Sequence, residues 1–423
     1  MPAPTRFSLL VAAYPTITAA LLFAFRRLQY QYPILDRIIT HQSQARLFQH
    51  NAAPGLAITA PTTNAATQYS AQISQSATGA SGASIATNNF QYTISPSYHA
   101  KDRNLVARKY SGSVVANSGK RSTRPASGED SFFFSKIRES ESVALGVIDG
   151  VGGWNEIGVD ATDFSHSLAE AMAELTAKLS TDTSAKRDES NSIVSKFSFP
   201  PLVLLDAGYN SIRNSGKVKA GGSTACVGVA HGNGTLQAAN LGDSGFFIFR
   251  DGKIHYMSIP QTHYFNAPYQ LAIIPQKIIE QNARYGGKNF DDKPSDANLS
   301  THKLKHGDVV LFCTDGVLDN LLPSDCLRIV NEEMISQGNW IVDRRSGDIQ
   351  ASGERQYSGV DSLAKRLVSA AFKASIDPKT DGPFAIEAQR QMKVLYKGGK
   401  PDDITALVMF VHQHIGGKTQ EKS

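Results

Sequence analysis

The chain has 423 residues, 41% of them apolar and 19% charged, enough to bury a sizeable core in one large domain or two of ordinary size. Its net charge of +5 is concentrated at the front, where residues 1–100 carry Arg6, Arg26, Arg27, Arg37 and Arg46 against the single acid Asp36, leaving about +1 for the remainder. Without a basic stripe or interleaved aromatics in the body, nucleic acid is excluded as a partner; three cysteines with no CxxC pair (Cys226, Cys313, Cys326) exclude a secreted disulfide scaffold and fit small buried hydrophobes in a reducing compartment.

Residues 1–50 read as a targeting segment, being Arg-bearing, hydroxylated and almost acid-free. Phe7 to Phe25 is uncharged and mostly apolar, just long enough to span a bilayer, so the same segment is a candidate membrane tether, weakened by Pro15, Thr16 and Thr18. A secretory signal fits less well, because Arg26-Arg27 follows the apolar run where a small-residue cleavage site belongs. Residues 51–99 are expected to be a disordered linker, dominated by Ala, Ser, Thr, Asn and Gln with too few large apolar side chains for a core.

From about residue 100 the pattern changes, and a single domain is expected over 100–413, followed by a tail at 414–423. Val143–Ile148, Thr224–Ala230, Gly245–Phe249, Val309–Cys313 and Ile404–Val411 read as strands by length and by β-branched or aromatic content. Phe164, Leu168, Met172, Leu175 and Leu179 fall on one helical face, as do Leu363, Leu367 and Ala371. Two polar stretches, 180–198 and 338–359, read as surface loops. Strands and helices without regular βαβ alternation predict an α+β fold.

The chemistry is signalled by where the acids fall. Asp130, Asp149, Asp243, Asp315 and Asp402 each flank an apolar run, and a carboxylate beside a buried strand is costly unless paired or bound to a cation. Singly, each has a plain reading: Asp149-Gly150 and Asp315-Gly316 as turns, Asp243 as a hairpin residue, Asp402-Asp403 as a solvated strand start. Together they need a common explanation. Hard oxygen ligands point to Mg²⁺ or Mn²⁺, and zinc is disfavoured because His and Cys do not cluster.

The ordered set of motifs resembles the PP2C-type phosphatases from about Ser127 to Val411. Gly128-Glu129-Asp130 is similar to the family's first acidic motif, and Val147-Ile148-Asp149-Gly150-Val151-Gly152-Gly153 to its strand ending in Asp-Gly-His-Gly-Gly. Gly221-Gly222-Ser223-Thr224-Ala225, Asn240-Leu241-Gly242-Asp243-Ser244, Leu311-Phe312-Cys313-Thr314-Asp315-Gly316 and Pro401-Asp402-Asp403-Ile404-Thr405 match later blocks. The Gly-Val-Gly-Gly-Trp form of the second motif and the run Gln261-Thr262-His263-Tyr264-Phe265-Asn266 resemble the PTC7-like mitochondrial branch.

The resemblance implies an αββα sandwich, two central antiparallel sheets flanked by helices, acting on phosphoserine and phosphothreonine in phosphoprotein substrates. It implies two Mn²⁺ or Mg²⁺ ions with a weaker third. Asp149 bridges the first two, Gly150 adds its carbonyl, Asp315 and Asp402 complete one ion, and Asp243 helps hold the third. Glu129 and Asp130 support the site directly or through water, while Asp403 stands where many relatives carry Asn. Two such ions lower the pKa of a shared water and neutralise phosphoryl charge, so no covalent intermediate is required.

Two departures stand out. Val151 replaces the family's usual His and cannot protonate a leaving group, which makes His263 a candidate donor. Arg124 lies one residue out of register with the family's phosphate-binding Arg. Among other readings, a dinucleotide fingerprint fails at Asn155, and a haloacid-dehalogenase nucleophile fails because Cys313 occupies its position. A catalytically silent PP2C-like binding module is the remaining alternative, and its signature would be loss of a metal carboxylate.

Overall fold

The computed structural model describes residues 90–101, 124–137, 141–181, 200–353 and 358–413. Ten strands form two five-stranded sheets: β1 (Phe90–His99), β2 (Asp130–Ile137), β3 (Ser142–Asp149), β4 (Ala225–Ala230), β5 (Thr235–Leu241), β6 (Gly245–Arg250), β7 (Lys253–Met257), β8 (Asn298–Lys303), β9 (Val309–Cys313) and β10 (Ile404–Gln413). One sheet runs β1-β10-β9-β6-β7 and the other β8-β5-β4-β3-β2, every neighbouring pair antiparallel.

The strands read as continuous apolar runs because each central strand is covered on both faces. Along β9, Val309, Leu311 and Cys313 face one core while Val310 and Phe312 face another, following the two-residue period of a strand. The second of these cores lies between the sheets: Phe312, Phe246, Leu145, Val147, Leu407 and Met409 meet there, all essentially buried. The outer layers are helical. Helix α1 (Ala161–Thr181) and helix α2 (Pro201–Ser215) seal the β2–β3 sheet with Phe164, Leu168, Met172, Leu204 and Leu205. Two helices, α4 (Pro323–Ser336) and α5 (Val360–Ser375), cover the other sheet; the stripe Val360, Leu363, Ala364, Leu367, Val368, Ala371 is the expected i, i+3, i+4 face. A single-turn helix, α3 (Asp315–Leu318), follows β9, and α6 (Pro383–Met392) precedes β10. The αββα sandwich expected from the motifs is the architecture found.

Two expectations are corrected. Residues 90–99, expected to be the end of a disordered linker, are a strand: β1 pairs along its whole length with β10, Phe90 opposite Gln413 through His99 opposite Ile404. Its Ser-, Thr- and Tyr-rich composition concealed a strand whose buried residues, Tyr98 among them, are few. The polar stretch 338–359 is not a plain loop, since Trp340–Val342 and Ile349–Ala351 form a hairpin whose Trp340 is buried and donates from Nε1 to the Gly307 carbonyl at 2.8 Å. The targeting segment, the tether at 7–25, the first part of the linker, most of 180–198 and the tail lie outside the described residues. Among the described residues no helix is long and apolar enough to cross a membrane.

Candidate metal centre

The register of the two sheets brings five strand ends to one place. Asp130 opens β2 and stands directly opposite Asp149, the last residue of β3. β5 ends at Leu241, one glycine before Asp243; β9 ends at Cys313, paired with Ala406 of β10 and Gly245 of β6. Thus the residues after β5 and β9 and before β10 share the edge that carries Asp149. Residues 242–244 pass from one sheet to the other, so Asp243 does not shape a hairpin as its local sequence suggests.

At that edge, carboxylate oxygens of Asp149, Asp243 and Asp315 lie within 4.8 Å of one another. Asp402 is joined to them through cations. Lys400 Nζ donates to Asp315 Oδ2 at 2.7 Å and to Asp319 Oδ2 at 2.5 Å, and lies 3.2 Å from Asp402 Oδ2. Lys101 Nζ links Asp402 Oδ1 (3.0 Å) to Glu129 Oε2 (3.1 Å). Asp403 points the other way and acts as a clamp: Oδ1 accepts the Lys101 amide at 2.7 Å and Oδ2 the Glu129 amide at 2.8 Å. Beneath them Thr314 Oγ1 donates to Asp130 Oδ2 (2.8 Å) and accepts from the Thr405 amide (3.0 Å), tying the sheets together under the cluster.

The glycines of the motifs answer to close approach more than to turning. A Cβ at Gly316 would fall 1.9 Å from the Asp403 carbonyl oxygen, and one at Gly150 would fall 2.7 Å from that of Glu129. The backbones carrying Asp315 and Asp402 can meet only without a side chain at 316.

The electrostatics are those of crowded acids. Burial, then the charge of Asp315, holds Asp149 well above the usual carboxylate range; burial does the same for Asp243 and Asp130. Burial also pushes Asp319 up to about 7, against the pull of Lys400. Asp315 is the exception: burial acts to raise it, but the Lys400 charge and hydrogen bond outweigh burial and leave it lowered. Asp243 Oδ1 and Asp130 Oδ1 are buried with no hydrogen-bond partner. An unsatisfied buried carboxylate oxygen is expensive, and a hard cation is the group that satisfies several at once. The donor set is all oxygen, so the residues fit Mg²⁺ or Mn²⁺.

Two sequence candidates are not brought to the cluster. Arg124 is spent on α1, donating to Asp163 (3.1 Å), Glu170 (3.2 Å) and Ser167 (3.3 Å). His263 pairs with Asp292 at 2.9 Å and is stacked between Tyr269 and Phe290. Sequence reasoning missed Lys101, Lys400 and Asp319. Asp319 was within reach of it, lying four residues after Asp315 and so one helical turn away, its amide bonded to the Asp315 carbonyl at 2.7 Å.

The fold thus gathers an all-oxygen donor set at the strand ends of an αββα sandwich. A family model described as Protein phosphatase 2C matches residues 120–338. Protein phosphatase 2C homolog 7, mitochondrial, of Saccharomyces cerevisiae is 33% identical over 323 residues, spanning 76% of this chain and 83% of the yeast protein. Protein phosphatase PTC7 homolog fig of Drosophila simulans is 36% identical over 286 residues, 67% of this chain and 77% of its own. The X-ray structure of the photosystem II phosphatase PBCP has the same fold, with a TM-score of 0.50 and 24% identity over 75% of this chain and 98% of that one. The chain belongs to the protein phosphatase 2C family, is similar there to PTC7 homologues, and is a protein phosphatase.

Proposed function

We propose that the carboxylate edge is a binuclear Mn²⁺ or Mg²⁺ site serving hydrolysis of phosphoserine and phosphothreonine. Asp149, the Gly150 carbonyl, Asp315 and Asp402 would hold the two ions, and Asp243 would help hold a weaker third. The observation that carries this is the convergence of Asp149, Asp243 and Asp315, of which Asp149 and Asp243 are held well above the usual carboxylate range by burial and by the charge of Asp315. When bound, such ions supply Lewis acidity, lowering the pKa of water and neutralising phosphoryl charge.

The chain's own residues do the rest. Asp130 and Thr314 fix the floor under Asp149, Asp403 clamps the backbones of Lys101 and Glu129, and Lys101 and Lys400 hold Asp402 and Asp315 in place. Lys101, the more exposed of the two lysines beside the cluster, would take the part that the resemblance gave to Arg124 and meet a phosphoryl oxygen. Val151 offers no proton and His263 is not brought to the cluster, and water would protonate the leaving oxygen. Calorimetric titration with Mn²⁺ tests the site: two ions are expected in the native chain and fewer in Asp149→Ala, and equal stoichiometry in both would refute the assignment.

A mitochondrial location is supported by the yeast relative's name and by the acid-poor, arginine-bearing residues 1–50. Cleavage of this segment as a presequence, or its retention as an inner-membrane tether through residues 7–25, is distinguished by the mass of the mature protein and by extraction of membranes with carbonate.

A further inference from the structure

Beside the carboxylate cluster the surface sinks into a groove of about 310 Å³, at the small end of the ~300–1,000 Å³ typical of ligand sites. Asp243 and Asp319 form the wall it shares with the cluster, and Glu387 stands on its rim. The remaining lining is mainly apolar, through Met257, Phe265, Leu318 and Phe384, with a few hydroxyl and amide side chains among them. Its shape is held by loop contacts. Phe265 precedes Asn266, whose left-handed φ of 56° turns the chain between Thr262–Tyr264 and Ala267–Pro268, and its ring meets Phe384 at 5.1 Å. Phe384 is tied to the cluster in turn, its amide donating to the Asp319 carbonyl at 3.0 Å and its ring lying 5.0 Å from Lys400 Nζ.

From this continuity we infer that the groove is a substrate subsite, taking one apolar side chain of the phosphoprotein close in sequence to the phosphorylated residue. The inference rests on the proposed metal site, because only a phosphoryl group held there by cations at Asp149, Asp243 and Asp315 would place the neighbouring substrate residues over Asp243. Successive residues of an extended chain advance roughly 3.3–3.6 Å, so a residue next to the phosphorylated one, or two removed, reaches a groove that begins at Asp243 itself. Apolar walls select a Leu, Met or Phe side chain and disfavour an acidic one, whose charge would lose its hydration there. Specificity in this protein is then set partly by Phe265, Phe384 and Met257.

The test uses the full chain with Mn²⁺ and two kinds of substrate: nitrophenyl phosphate, which reports on the metal site alone, and phosphothreonine peptides carrying Leu, Phe, Ala or Asp at each neighbouring position. At one position Leu or Phe should raise kcat/KM over Ala by roughly tenfold or more through KM, the effect of burying one such side chain, with Asp below Ala. Phe265→Ala should lower the ratio of Leu-peptide to nitrophenyl phosphate turnover by a similar factor. Met257→Glu, at a residue 39% exposed and therefore tolerant of charge, should move the preference from Leu to Lys. A protein that turns over nitrophenyl phosphate but hydrolyses the Leu, Ala and Asp peptides alike, or a Met257→Glu variant with an unchanged preference, overturns the subsite and leaves the metal site standing. Absence of metal-dependent nitrophenyl phosphate turnover overturns both.

Discussion

Gly316→Ala adds one methyl group to the chain and should disable it. The new Cβ would stand 1.9 Å from the Asp403 carbonyl oxygen, 2.9 Å from its carbon and 3.0 Å from Ile404 Cγ1. Because 3.0 Å is about the closest a real Cβ comes, the two backbones must separate by about 1.1 Å. They have little freedom to do so, since the Thr314 amide donates to the Thr405 carbonyl at 3.1 Å and the Thr405 amide returns to Thr314 Oγ1 at 3.0 Å. Overpacking of this kind costs roughly 1–3 kcal/mol, while a displacement of about 1 Å between groups that act together costs on the order of a hundredfold in rate. The expected signature is therefore a loss of kcat far larger than the loss of stability: Tm lowered by several degrees, folding cooperative, and metal-dependent turnover down about a hundredfold. A variant with kcat within twofold of the native value would refute the reasoning that Asp315 and Asp402 must be held together by backbone contact at this glycine.

Thr314→Val removes the hydroxyl between Asp130 and the Thr405 amide and should lower unfolding free energy by about 1–3 kcal/mol in urea denaturation, an unchanged midpoint contradicting the network. Lys400→Met should act in opposite directions on two measurements. Unfolding free energy in EDTA should fall by about 3 kcal/mol as buried carboxylates lose their partner, whereas Mn²⁺ binding by calorimetry should tighten because a competing positive charge is gone; loss of affinity would refute this. In EDTA the native chain should lose stability as pH rises from about 5 to 8. The folded carboxyls of Asp403 (about 6) and Asp319 (about 7) bind protons that the unfolded chain has already released, so the unfolded state gains as those protons leave. Mn²⁺ should cancel that slope, and a metal-free Tm rising across this range would contradict it.

Much of this was legible before any coordinates. Strands β3, β4, β6, β9 and β10 are buried on both faces, so they appear as uninterrupted apolar runs, and the acids at their ends stand out against them. What the sequence hid depends on long-range pairing. β1 is an edge strand stabilised by β10 more than three hundred residues later, and its Ser and Thr content matches the sequence before it. Lys101 and Lys400 carry no motif; their meaning comes from carboxylates that the fold gathers around them. Arg124 was plausible by proximity to Glu129, but α1 presents Asp163 and Glu170 to it first. The turn readings of the Asp-Gly pairs were incomplete for a similar reason: the neighbour that requires Gly316 lies eighty-seven positions away in the chain, at Asp403.

The role proposed for these carboxylates is to hold divalent ions for phosphoprotein hydrolysis. Turnover of a phosphothreonine peptide by the full chain, with Mn²⁺, with Mg²⁺ and with EDTA, beside Asp149→Ala and Asp315→Ala, tests it most directly. Turnover that requires the metal and is lost in both variants, with their cooperative unfolding retained, is the predicted result; turnover that persists in EDTA, or survives in either variant, would contradict it.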